Sequence, residues 1–305
     1  MKSKIFLSCL LAATALVSTS CSGYLDEDPK GQATPNGFFN TTAKLQSGVY
    51  ALYAQVEQTQ SWTNPLYPMW QGDDMTANPS SNKQAVAELD GFSSTNNNKG
   101  TKDAWRLNYA VIKAANLLIE QKAYNEGNMA IPEEEMNIAQ GNAHFWRAYA
   151  YFYLVRIFGP LPLITTSDLV ENVELSSEEE IYTQIVQDLK DAISELPTGY
   201  TDSPRHINGV DNYVTKQAAQ STLAAVYMAM AGYPLNKGTE YYKLAAAMAK
   251  EVIDNNGTYG FFLEPEWKDV YSMGSNYSKA VVLGISNSPN NGSWSYDSQI
   301  GRAHV

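Results

Sequence analysis

The segment 133–158, EEEMNIAQGNAHFWRAYAYFYLVRIF, constrains the fold most. Ala139, Ala143, Trp146, Ala150, Leu154 and Ile157 recur at three- and four-residue spacing and share one helical stripe. Phe145, Tyr149 and Phe152 form a second stripe. A helix that is apolar on two sides must be covered on more than one side, so other elements have to flank it. Pro132 suits its first turn, the three glutamates suit its positive end, and Gly159 and Pro160 stop it.

The flanking elements are readable in the same way. A helix is expected over 42–58. Another follows residue 101, where Trp105, Tyr109, Ile112, Asn116 and Ile119 share a face. Ser177 with Glu180 three places on is a capping box. Behind it Ile181, Ile185, Leu189 and Ile193 form a stripe that Pro197 closes. Ala218, Ala219, Leu223, Val226, Tyr227 and Met230 predict a helix whose alanines admit a close neighbour. Tyr242, Ala245, Ala249 and Val252 predict the next, with Gly257 as its C-terminal cap. The run 281–285 reads as a short strand. The helices therefore pair as 133–158 with 178–196 and 216–231 with 240–255. The fold class that follows is all-α, a tetratricopeptide-like α-solenoid with little strand, although the strict 34-residue consensus is absent. Residues 59–100, rich in Ser, Asn, Pro and Gly, read as a long loop excursion with at most short helices, a feature that is often functional.

Composition narrows the function. Of 305 residues, 44% are hydrophobic and 17% charged, so the chain can bury a core. Its net charge is −11, and because the first twenty residues carry Lys2, Lys4 and no acid, it falls to −13 without them. Phosphate backbones would repel such a chain, which excludes nucleic acid as a partner. Tyrosine is abundant, with 20 residues, and such rings can pack helices or stack on sugars.

Lys2 and Lys4, the apolar run 5–17 and the small residues Ser18, Thr19 and Ser20 make residues 1–20 a secretory signal, too short for a membrane span. Cys21 follows directly, and an unpaired cysteine there points to lipidation, although Ser18 stands where a lipobox usually has a bulky aliphatic. Acyl chains on Cys21 would contribute about 0.8 kcal/mol per buried CH2. Residues 21–41 read as the lipidated N-terminus and a tether, and 42–299 as the helical domain. With Cys9 and Cys21 both in the leader region, no disulfide framework or cysteine metal site is available.

The segment 141–164, GNAHFWRAYAYFYLVRIFGPLPLI, resembles the long helix of the SusD/RagB family, with an Arg-Ala core ending in a Gly-x-x-Pro-Leu turn. Five further pieces occur in that family's order: SGYLDEDP after the cysteine; Asp103-Ala104-Trp105 leading to Tyr109 and Ala115-Asn116; and the segments 176–197, 213–232 and 241–261. The resemblance spans nearly the whole mature chain. It implies a lipid-anchored outer-membrane protein facing the exterior. Such a protein binds glycans, or in some members oligopeptides, and delivers them to a SusC-like TonB-dependent transporter, without catalysis. It also implies a longer protein. The last six residues, IGRAHV at 300–305, match one reading frame of a common sequencing adapter, so the native chain is expected to continue past Gln299.

Candidate ligand residues lie in the polar loops. Trp62, Tyr67 and Trp70 precede Asp73, Asp74 and Asn78, and Trp294 and Tyr296 stand in a second loop. A flat ring can cover the apolar face of a pyranose while carboxylates and amides bond its hydroxyls. The same rings could instead pin the loops to the helices. Trp105, Trp146, Tyr149, Tyr151 and Tyr153 sit at helical spacing and are expected to pack. His144 is expected to be hydrogen-bonded within the packing, and His206 to lie in a loop. With no His or Cys cluster, no zinc site is expected, and no cofactor is implied; a structural calcium stays open. Two rival functions remain: a surface glycoside hydrolase, for which no suitably spaced carboxylate pair is apparent, and a non-catalytic scaffold lipoprotein.

Overall fold

The computed structural model describes residues 35–59, 71–73, 76–77, 83–202, 204–207, 210–270 and 280–284. Two compact units divide after Phe38, and the described part of the first is one helical turn, α1 (Pro35–Phe38). The second unit holds α2 (Thr42–Thr59), α3 (Gln84–Asp90), α4 (Lys99–Tyr124), α5 (Glu133–Phe158), α6 (Glu178–Glu195), α7 (Lys216–Ala231) and α8 (Thr239–Asp254), then the single turns α9 (Asn256–Tyr259) and α10 (Trp267–Val270). Strand is confined, among the described residues, to two antiparallel pairs: β1 (Leu161–Pro162) with β2 (Leu175–Ser176), and β3 (His206–Ile207) with β4 (Val210–Asp211). Helices stack in chain order, α4 and α6 on either side of α5, then α7 on α6 and α8 on α7, while α2 packs on α4 and α5. This is the expected tetratricopeptide-like solenoid.

The two-sided stripe of α5 makes it the central element. Phe145, Trp146, Tyr151 and Leu154 are all but fully buried, and each such side chain contributes roughly 1.5–3 kcal/mol of burial. Of the stripe residues, only Tyr149 and Ile157 reach solvent. Gly141 lets α6 close in: a Cβ there would stand 2.6 Å from Leu196 Cγ. Gly159 ends α5 at φ +71, a conformation other residues resist. The capping box of α6 is present, with Ser177 Oγ accepting from Glu180 N at 3.3 Å and Glu180 Oε2 accepting from Ser177 N at 2.8 Å.

A buried polar tie crosses three helices. The Arg147 guanidinium of α5 donates to both carboxylate oxygens of Asp188 on α6 (2.8 and 2.6 Å) and to Asn116 Oδ1 on α4 (2.7 Å). Asn116 Nδ2 donates onward to the carbonyls of Ile164 and Thr166 (3.1 and 2.9 Å). Tyr109 and Tyr151 hydroxyls donate to the carbonyls of Pro162 and Ile164 (2.9 and 3.0 Å), and Glu120 accepts from Ser167 N (2.7 Å). The chain leaving Gly159 is thereby stapled back on α4 and α5. Burial pushes the Tyr151 phenol up to about 12, so it stays a neutral donor.

Four expectations change. Residues 281–284, the described part of the run 281–285, are irregular with a bend rather than a strand. α8 is capped by Asn255, and Gly257 lies inside α9, which Gly260 closes in the left-handed region. Tyr242 faces solvent, and its neighbour Tyr241 packs edge-on against Tyr227 of α7 instead. His206 sits in the strand β3 rather than in a loop, with Nδ1 2.7 Å from Asp211 Oδ1.

Candidate functional site

Most residues singled out from the sequence for ligand contact, Trp62, Tyr67, Trp70, Asp74, Asn78, Trp294 and Tyr296, lie outside the described residues. So do Cys21 and residues 300–305. Asp73 is described and exposed. The described end of the excursion is a built structure. Asp90, the last residue of α3, accepts from Ala77 N at 2.9 Å and so holds the buried Ala77. Asn98 is buried, caps α4 by accepting from Gly100 N and Thr101 N (3.0 and 3.1 Å), and donates to Ala85 O and Glu88 Oε2 (both 2.8 Å). One side chain thus fixes both ends of the loop 91–98. From this loop Phe92 projects, a residue that sequence reasoning passed over.

Several other aromatic residues build core. Tyr53 stacks on Tyr213 at 4.9 Å and meets Trp146 edge-on at 5.7 Å. Its hydroxyl donates to Asn142 Oδ1 (2.6 Å) and accepts from Val214 N (2.9 Å). Burial drives the Tyr53 and Tyr200 phenols upward, so both act as neutral hydrogen-bonding groups. Trp105 packs on Tyr109 and Phe158, as its helical spacing implied. Arg205 bonds Glu135 of α5 bidentately (3.0 and 2.9 Å) and Asp202 (2.7 Å to Oδ2), pinning the segment before β3 to the start of α5. Hydrogen bonds from Arg205 hold the Asp202 carboxyl below its usual range.

His144 is tied into the packing, its Nδ1 2.7 Å from Glu195 Oε2. Among the described residues His144, Asp188 and Asp191 place ligating atoms within 4.8 Å of one another. Asp188 is already neutralised by Arg147, and that guanidinium disfavours a second cation beside it. No described helix is long and apolar enough to cross a membrane.

Residues 23–228 match the family model SusD-like_3, described as starch-binding and associating with the outer membrane. The chain belongs to the SusD-like family. The SusD-like protein P2 of Formosa agariphila is 29% identical over 262 residues, covering 84% of this chain and 48% of that protein. A solved structure with a xylogluco-oligosaccharide is 28% identical, with a TM-score of 0.66 over 82% of this chain and 47% of that one. A laminarin-binding SusD-like protein shares the fold at 22% identity, with a TM-score of 0.67 over 80% of this chain and 50% of that one. This SusD-like chain spans about half the length of the curated relatives it matches.

Proposed function

We propose that the protein is a non-catalytic glycan-binding lipoprotein of the outer membrane, anchored through Cys21 after removal of residues 1–20 and facing the exterior. It captures glycans and delivers them to a SusC-like TonB-dependent transporter. The observation that carries the reading is the solved relative holding a xylogluco-oligosaccharide, which shares this fold across 82% of the chain. The family description, which names binding and membrane association rather than a reaction, supports it. Residues 21–41 serve as the tether, and Trp62, Tyr67, Trp70, Asp73, Asp74, Asn78, Trp294 and Tyr296 are assigned to ligand contact. Charge fits as well: neutral glycans suffer no repulsion from an acidic protein.

The test is purification of the complete gene product, with its native leader, from its own host in mild detergent. Co-purification of a large β-barrel transporter is expected, together with binding of oligosaccharides and no release of reducing ends. A lipidated protein that emerges alone under conditions that preserve known transporter pairs would refute the delivery step. Release of reducing ends would replace binding with hydrolysis.

A further inference from the structure

α4 is a basic element in an acidic chain. It carries Lys99, Lys102, Arg106, Lys113 and Lys122 against Asp103 and Glu120, a net charge of +3, whereas α6 carries −5. Four of those cations form one stripe. Lys99, Lys102, Arg106 and Lys113 follow one another at spacings of three, four and seven residues, which puts them within about 60° on one helix face and along roughly 21 Å of its axis. All four are exposed, the side chains of Lys99 and Arg106 by 80% and 70%. Ala110 and the partly buried Leu117 complete the stripe, so it exposes no large apolar side chain.

The acids of α4 do not cancel this charge. Asp103 is a single carboxylate shared by Lys99 and Arg106. Glu120 is taken up by Thr166 and Ser167 of the segment after β1. Lys102 bonds only the neutral Asn97 Oδ1 (2.9 Å), and Lys113 has no partner among the described residues. A helix face that merely meets water usually interleaves its signs, as α8 does by pairing Lys243 with Glu240 and Lys250 with Asp254. What the stripe lacks narrows the occupant. A protein interface is anchored by apolar or aromatic side chains, and a helix lying on a membrane buries an apolar face; the stripe offers neither. Just ahead of Lys99 the exposed run Ser93, Ser94, Thr95, Asn96 and Asn97 supplies hydroxyls and amides instead.

We infer that the outward stripe of α4 binds a linear acidic glycan, with Lys99, Lys102, Arg106 and Lys113 pairing with carboxylates or sulfates along it. This rests on the glycan-capture reading above and adds to it an anionic class of ligand and a site on a helix face. The net charge of −11 does not forbid it. Screening within about 8 Å at physiological salt leaves the ligand to respond to the nearby charges. Its own charges, spaced by whole sugars, are also far sparser than the one per about 1.7 Å of duplex DNA.

The test titrates the complete gene product with oligogalacturonate, which carries carboxylates, heparin oligosaccharides, which carry sulfates, neutral laminarin oligosaccharides, and poly-glutamate, an anion without sugar. The native protein is expected to bind at least one acidic glycan, more weakly as salt rises from about 50 to 200 mM, and the preferred probe tells carboxylate from sulfate. K102Q/R106Q/K113Q should weaken that binding roughly tenfold or more with an unchanged melting temperature, because the three side chains are exposed. The charge-keeping K102R/R106K/K113R should retain it. Undiminished binding in the glutamine variant, equal loss in both variants, or poly-glutamate binding as tightly as the glycan would overturn the inference. Binding of laminarin but of neither acidic glycan would overturn it and leave glycan capture intact, whereas failure to bind any glycan would overturn both.

Discussion

Replacing Asp188 by Asn leaves the Arg147 charge inside the protein without its counter-ion. Both side chains are almost fully buried and share a bidentate contact of 2.8 and 2.6 Å. Breaking such a pair from one side costs about 3–5 kcal/mol, since the remaining charge is desolvated and uncompensated. Arg147→Met should cost a similar amount by stranding Asp188. The double replacement R147M/D188L removes both charges. It leaves Asn116 Oδ1 and Gln184 Nε2 without the partners they have now, at 2.7 and 2.8 Å, for about 1–3 kcal/mol. The double variant should therefore be more stable than either single one. For a protein of this size, each kcal/mol moves the melting temperature by about 2–4 °C, so the single variants should melt roughly 6–20 °C lower. Urea unfolding followed by circular dichroism gives all three values. Loss of less than about 1 kcal/mol in D188N, or a double variant as unstable as the two singles added together, would refute the reasoning that charge burial dominates this contact.

Gly141→Val puts a branched side chain where Leu196 Cγ already stands 2.6 Å from a Cβ position; overpacking of about 1–3 kcal/mol is expected, read as a lower urea midpoint. Asn98→Ala removes the α4 cap and two bonds to α3; it should cost about 1–3 kcal/mol, read as a lower urea midpoint. The folded Asp202 carboxyl lies below its unfolded value near 3.8, so its stabilisation is present above that pH and lost as pH falls through the folded value. Arg205→Met should flatten the stability–pH curve in that acid window, and an unchanged curve would contradict the Arg205 assignment. Cys21→Ala should move the protein from the membrane to the soluble fraction, checked by fractionation and palmitate labelling.

The parts of this fold that were legible in the sequence are those that repeat. α5 announces itself because burial on two sides imposes two stripes, and its glutamates and Gly159 mark the ends. The tie that holds α5 in place does not repeat. Arg147 lies 31 residues from Asn116 and 41 from Asp188, and nothing local distinguishes a buried arginine from a solvated one until the partners are brought together. The stripe of α8 misled for a related reason. Tyr241 and Tyr242 are adjacent, and periodicity alone did not decide which turns toward Tyr227. Ligand contact is harder still. Trp62 and Trp70, in a stretch without helical period, could be nominated only by residue type and polar company. Helix packing is written as a pattern along the chain, whereas a binding loop is written in the torsions and buried clamps that fix its shape. Asn98 is informative for that reason, because its buried side chain is bonded to both ends of the loop 91–98 and so fixes the shape of that loop.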